Sequence, residues 1–237
     1  MTHTEIELAA RGESGLSGLL SVPDGPDAVP VLLFLHGRGE ARTGSDGMPQ
    51  PLRAVGTNDA PVATPTAQER FAVLAPQAPT SMGVDVWAGH LDSVAALLSR
   101  ARRAVAARDD GRLFVCGFSH GAFAAVEFAG ANARGVTAWV AVDAARRLPV
   151  ARPLAESAGR LPHRVLAGPA GFRRNGAAPG DPLARDEIRV AGLSHVEMCR
   201  EVYSGRFRLD SGDSVYDWLL HQGRPGNRGP GAAGPAR

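Results

Sequence analysis

The stretch VCGFSHGAF, residues 115–123, sets one serine between two glycines where a buried apolar run gives way to a small-residue helical pattern. RLFVC (112–116) reads as a strand buried on both faces and AFAAVEFA (122–129) as a helix, which leaves Gly117-Phe118-Ser119-His120-Gly121 as the whole connection. So tight a turn strains the backbone of its central residue. Glycines two before and two after it let strand and helix approach without β-carbon clashes. The turn lifts the Ser119 oxygen clear of the sheet. It also puts the His120 amide at a helix N-terminus, where free N–H groups favour a developing oxyanion. The five letters are a weak signal by themselves, and the order strand, turn, helix is what gives them weight.

Working outward, non-alternating apolar runs recur at VPVLLFLHG (29–37), RFAVLAPQAP (70–79), GVTAWVAVD (135–143) and HRVLAG (163–168). Such runs are expected of parallel strands covered on both faces, which need crossover helices. The clearest helix is LDSVAALLSRARRAVAAR (91–108), with Val94, Leu97, Leu98, Ala101 and Val105 on one face and arginines on the other. The first 22 residues read as an antiparallel pair at the sheet edge, and GDSVYDWLLHQ (212–222) as the last helix. The predicted fold is α/β, a mostly parallel doubly wound sheet of about eight strands with an antiparallel N-terminal edge. Residues 1–222 form its single domain, and 144–160 is a place for a small lid. Residues 223–237, with eight Gly or Pro among fifteen, are expected to be a disordered tail. The irregular stretch 37–68 is expected to be a long surface loop.

The totals narrow the function classes. A chain of 237 residues with 44% hydrophobic content buries a full core. All 26 basic residues are arginine and the formal charge is only +2, so neither nucleic acid nor a basic membrane-binding face is implied. No apolar stretch is long enough to span a bilayer, and the opening residues lack a cationic segment followed by an apolar run, so a cytoplasmic protein is expected. Cys116 and Cys199 have no metal or disulfide spacing and read as free thiols. HVEMC (195–199) carries His, Glu and Cys at alternate positions without HExxH or CxxC, and no phosphate-binding glycine pattern follows a strand. Neither a metal nor a cofactor is expected.

From about residue 18 to 221 the chain resembles the α/β-hydrolase fold, and within it the group of predicted esterases and peptidases related to phospholipase/carboxylesterases and dienelactone hydrolases. FLHGRGEARTGSD resembles that group's HGxGE segment, VLAPQAP its APQ strand end, and CGFSHGAFAA its nucleophile elbow; Trp87 matches in spacing. The resemblance implies serine hydrolase chemistry on esters, thioesters or peptides. It assigns one oxyanion donor to the amide of Arg38, whose side chain is free to face solvent, and the other to that of His120. His36 is expected to buttress the loop.

A serine hydroxyl needs a base, and that base an orienting carboxylate. Of the histidines after Ser119, His163 precedes a strand and His221 ends the last helix, whereas His195 follows the expected final strand EIRVAGLS and precedes the terminal helical region, where the fold resemblance puts the base. The acid departs from the group's pattern. Its HGxxD segment here reads AGPAG, with Gly168 as the glycine and Gly171 in the aspartate's place. Asp143, at the end of the preceding strand, is favoured because a strand end fixes its carboxylate; VAVDAA resembles thioesterase domains and some lipases that carry the acid there. Asp181, and less readily Asp186, are the alternatives from the 170–187 loop. Phe118 and Trp87 are candidate walls of an acyl pocket; Phe123 serves equally well as helix core. The expected partner is a small acyl substrate, with carrier-protein or CoA thioesters included. The expected reaction is ester or thioester cleavage through an acyl-enzyme. Two alternatives stay open: a cyclase or acyltransferase using the same intermediate, and a non-catalytic binding protein on this fold.

Overall fold

The computed structural model describes residues 3–9, 16–44, 46–82, 85–144, 150–168 and 187–223. Eight strands form one sheet: β1 (His3–Ala9), β2 (Ser17–Pro23), β3 (Val29–Leu35), β4 (Ala72–Gln77), β5 (Asp109–Phe118), β6 (Ala138–Val142), β7 (His163–Ala167) and β8 (Glu187–Arg189). Their order is β1-β2-β4-β3-β5-β6-β7-β8. β2 runs antiparallel to both β1 and β4, and every pairing from β4 to β8 is parallel. β1 alternates exposed Glu5 and Glu7 with inward Ile6 and Leu8, as an edge strand should. β3, β4 and β6 are buried at every position. Side chains alternate between two cores. Val31, Leu33, Leu35, Leu113 and Val115 enter one face, and Leu32, Phe34, Phe114, Cys116 and Phe118 the other.

The first face is covered by the crossover helices α2 (Leu91–Ala104), α3 (His120–Ala131) and α4 (Arg152–Ala158), whose residues share its cluster. Of the 144–160 stretch, α4 packs on α3, where Gly130 meets the Leu154 carbonyl, and Trp139 Nε1–H donates to Ala158 O at 3.0 Å. The other face is covered by α5 (His195–Tyr203), α6 (Val215–His221) and the β3–β4 connection. That connection differs from the surface loop expected over 37–68. It winds through 3-10 turns at Arg38–Glu40, Leu52–Gly56 and Pro61–Ala63 into a short helix α1 (Pro65–Gln68), burying Val55, Val62 and Ala67. Side-chain amides bind its main chain: Gln77 Nε2 donates to Glu40 O and Pro51 O, both at 3.0 Å, and Gln68 Nε2 to Val62 O at 2.7 Å. The apolar residues are too scattered to show periodicity, so sequence signals only a loop. The expected tail lies outside the described residues beyond Gly223.

The chain leaves β3 to one side to make β4 and to the other to make β5, so the order reverses between β3 and β5. A crevice at the carboxyl end of such a switch point is where open α/β sheets bind ligands. Here it is nearly closed by backbone. A Cβ on Gly121 would stand 1.8 Å from Leu35 O, and one on Gly117 2.0 Å from Gly121 O. Helix α3 therefore rests its first turn directly on the ends of β3 and β5. Gly121→Ala is expected to lower unfolding free energy by more than about 3 kcal/mol or to leave no folded protein. Gly135→Ala, where the nearest atom is 3.7 Å away, should stay within about 1 kcal/mol of the parent. Urea unfolding midpoints compare the two, and equal effects would refute the contact.

Candidate active site

Ser119 sits at the tip of the β5–α3 turn with φ 57° and ψ −117°, outside the regions favoured by residues with a β-carbon. A backbone so placed costs about 1–3 kcal/mol and persists only where its surroundings impose it. The close contacts at Gly117 and Gly121 are that imposition, assisted by Ser119 N–H donating to Val142 O at 3.0 Å. The side chain is 5% exposed and its oxygen lies 3.0 Å from His195 Nε2.

His195 opens α5 rather than lying in a loop. Ser194 is the N-cap of a full capping box with Glu197, an arrangement typically worth about 1 kcal/mol. At the other end of the helix, Tyr203 donates its O–H to Gly117 O at 3.1 Å, and Tyr216 of α6 donates to Tyr203 O at 2.7 Å. The helix that carries the histidine is thus bonded to the turn that carries the serine. Phe118 is 4% exposed and stacks on the imidazole with ring centres 4.6 Å apart and planes 30° apart, which limits ring rotation.

Asp143 follows β6 in the left-handed region, φ 42°, and is 0% exposed. Its Oδ2 accepts from His195 Nδ1–H at 2.7 Å and its Oδ1 from Gly168 N–H at 3.0 Å, while its own N–H donates to Leu166 O at 2.7 Å. With Nδ1 donating to the carboxylate, Nε2 is left to accept from the serine. The end of β7 contributes a backbone donor instead of an acid. Asp181 and Asp186 lie outside the described residues.

On the other side of the serine, β3 ends in His36-Gly37-Arg38. A Cβ on Gly37 would stand 3.3 Å from Ser119 Cβ, so this bend lies against the nucleophile position. Arg38 begins a 3-10 turn and His120 begins α3, so both amides stand at the first position of a helical turn. His36 holds the bend. It is 1% exposed, burial pushes its pKa down to about 4, and so it is neutral. Its Nε2 accepts from Ala78 N–H at 2.9 Å, which leaves Nδ1–H to donate to Gly37 O at 2.5 Å. Trp87 is placed otherwise than as a pocket wall. At 1% exposure it packs its ring 4.9 Å from that of His36 and donates Nε1–H to His36 O at 3.1 Å, so it props the bend from beneath. His120 is half-buried, its pKa lowered by burial and then by the cation of Arg38, itself half-buried. Phe123 is buried in the core on the α3 side of the sheet. Sequence reading missed one participant in this region, the buried carboxylate of Glu40, although it stands in the quoted HGRGE segment.

No family model matches the chain, and no curated protein is significantly similar to it in sequence. Solved structures do match. A thermostable esterase superposes with TM-score 0.61 at 18% identity, covering 92% of this chain, which spans only 63% of that esterase. S-formylglutathione hydrolase from Staphylococcus aureus gives 0.60 at 13% identity over 86% of this chain and 94% of its own. An α/β serine hydrolase from Xanthomonas campestris, described as having no lid, gives 0.57 at 19% identity over 86% and 93%. At these identities the likeness is one of fold, and the fold is that of the α/β hydrolases.

Proposed function

We propose that the protein is a serine hydrolase that cleaves an ester or thioester through a covalent acyl-enzyme. The observation that carries this reading is the unbroken relay Ser119 Oγ, His195, Asp143, with links of 3.0 and 2.7 Å, on a strained turn. In the proposed reaction Ser119 Oγ bonds to the substrate carbonyl carbon as its proton passes to His195 Nε2. The amides of Arg38 and His120 hold the resulting oxyanion. Asp143 keeps the imidazole in the accepting tautomer and balances its charge. Collapse breaks the bond to the leaving alcohol or thiol, which takes the proton from Nε2. Water activated by the same nitrogen then attacks the acyl carbon and frees the serine.

Thioesters belong in the substrate class because the staphylococcal neighbour carries one in its name, and carrier-protein or CoA thioesters extend the same chemistry. The domain on which this rests is residues 1–222. Both cysteines are free and buried, as suits the reducing cytoplasm in which we place the protein. Among the described residues no helix is long and apolar enough to cross a membrane.

Folded protein is expected to react with a fluorophosphonate probe at Ser119 and to hydrolyse p-nitrophenyl acetate or a short acyl thioester. Ser119→Ala should abolish both without changing the unfolding midpoint, and Asp143→Asn should lower kcat by about 10⁴ through the wrong tautomer. A folded wild type that neither labels nor turns over would favour the binding-protein reading, and full activity in Asp143→Asn would move the acid elsewhere. With an added alcohol or amine, product analysis by mass spectrometry is expected to return mainly free acid. Dominant transfer product would instead mark an acyltransferase or cyclase.

A further inference from the structure

The reaction scheme leaves one buried carboxylate beside the site unused. Glu40 ends the Arg38–Glu40 turn and is 6% exposed. Its Oε1 accepts from Asn58 Nδ2 at 3.0 Å and from Thr57 Oγ1 at 3.4 Å. Its Oε2 is buried with no hydrogen bond among the described residues. The nearest cationic candidate, His36 Nδ1, is 3.8 Å away, but that ring is neutral and its proton goes to Gly37 O.

Oε2 and the nucleophile lie on either side of Gly37. The position of a Cβ on Gly37 is 3.3 Å from Oε2, 3.3 Å from Ser119 Cβ and 3.3 Å from the Phe118 ring. A single glycine thus separates the carboxylate from the serine and from the ring that stacks on His195, and the charges of Glu40 and His195 interact. Burial raises the Glu40 pKa, with Asn58, the residue's own backbone N–H, Thr57 and His195 acting against the rise. A carboxylate oxygen without a partner in a dry wall is costly unless some charge offsets it. The cation that the proposed relay creates nearby is the imidazolium of His195.

We propose that Glu40 is a positioning residue, a second anion beside Asp143 that stabilises the positive charge on His195 as Ser119 gives up its proton. The inference rests on the hydrolase reading. His195 is faced by Asp143 from β6, by Glu40 from the 3-10 turn and by the half-buried His120 of α3, whose pKa burial and Arg38 lower. Glu40 is faced by His36, by His195, and by the Cys199 thiol of α5, which burial keeps protonated. Of these, His195 is the group that gains charge during turnover.

Glu40→Gln keeps an acceptor for Asn58 and Thr57 and removes the charge. An anion raises a histidine pKa, so its loss must lower it. In the folded variant, the imidazole pKa of His195 followed by NMR is expected to fall, and the acid limb of the kcat/KM profile on p-nitrophenyl acetate to move to lower pH with it. Plateau kcat/KM should drop about tenfold or more, with KM within about twofold. Glu40→Asp should restore most of both. A folded Glu40→Gln that loses activity while the His195 pKa and acid limb stay fixed would make Glu40 a prop of the loop and overturn the proposal. Should Glu40→Gln not fold, the coupling is read in reverse: the Glu40 carboxyl, titrated by carbon-13 NMR, must rise in pKa in His195→Ala relative to wild type, and an unmoved value overturns the proposal equally. Failure of the hydrolase reading looks different, since wild type would then neither label at Ser119 nor turn over, whatever the NMR titrations give.

Discussion

The contact on which the site depends is between main chains: the first turn of α3 lies against the carboxyl ends of β3 and β5, close enough that a methyl group at Gly121 would overlap Leu35 O. Everything in the site takes its position from that approach. It forces Ser119 into a backbone conformation it would not choose. It also brings the bend after β3 against the same side chain. The hydrophobic burial on either side of the sheet supplies the stability that offsets this local strain.

His195 and Asp143 reach the serine by different routes. His195 is delivered by a helix with a capping box at its start and a tyrosine hydroxyl bonded to Gly117 O near its end. Helix and elbow are therefore bonded to each other as well as through the 3.0 Å link between His195 and Ser119. Asp143 is delivered by a strand end. The resembling hydrolase group draws this carboxylate from the next strand, and here β7 supplies Gly168 N–H to hold the carboxylate of β6. A backbone donor serves either position, which is why the acid can be carried by one strand or its neighbour without moving the histidine.

Around the bend after β3 the polar groups form a hierarchy of burial. His36, neutral, fixes the strand ends through two bonds to main chain, and Trp87 supports it from below. Glu40 ties the bend to Asn58 and Thr57 and keeps one oxygen uncommitted toward the serine. The packed turns of 52–68 hold these residues in place, which explains why a stretch with the composition of a loop is buried at Val55, Val62, Thr64 and Gln68.

The amino-acid sequence determined the strand-helix alternation, the antiparallel edge and the elbow, because these follow from local patterns: apolar runs of strand length, helical periodicity, and glycines flanking a serine. It also put His195 and Asp143 forward, since position after a strand is a property of chain order. It could not separate Asp143 from Asp181, because which carboxylate meets an imidazole 52 residues from it depends on strand neighbours, not on spacing. It gave Trp87 to a pocket wall, Glu40 no role and 37–68 no packing, since burial of an isolated side chain leaves no periodic trace. Those were decided by the tertiary structure, where the order reversal between β3 and β5 gathers four strand ends and fixes by contact which polar atoms find partners and which are left facing the serine.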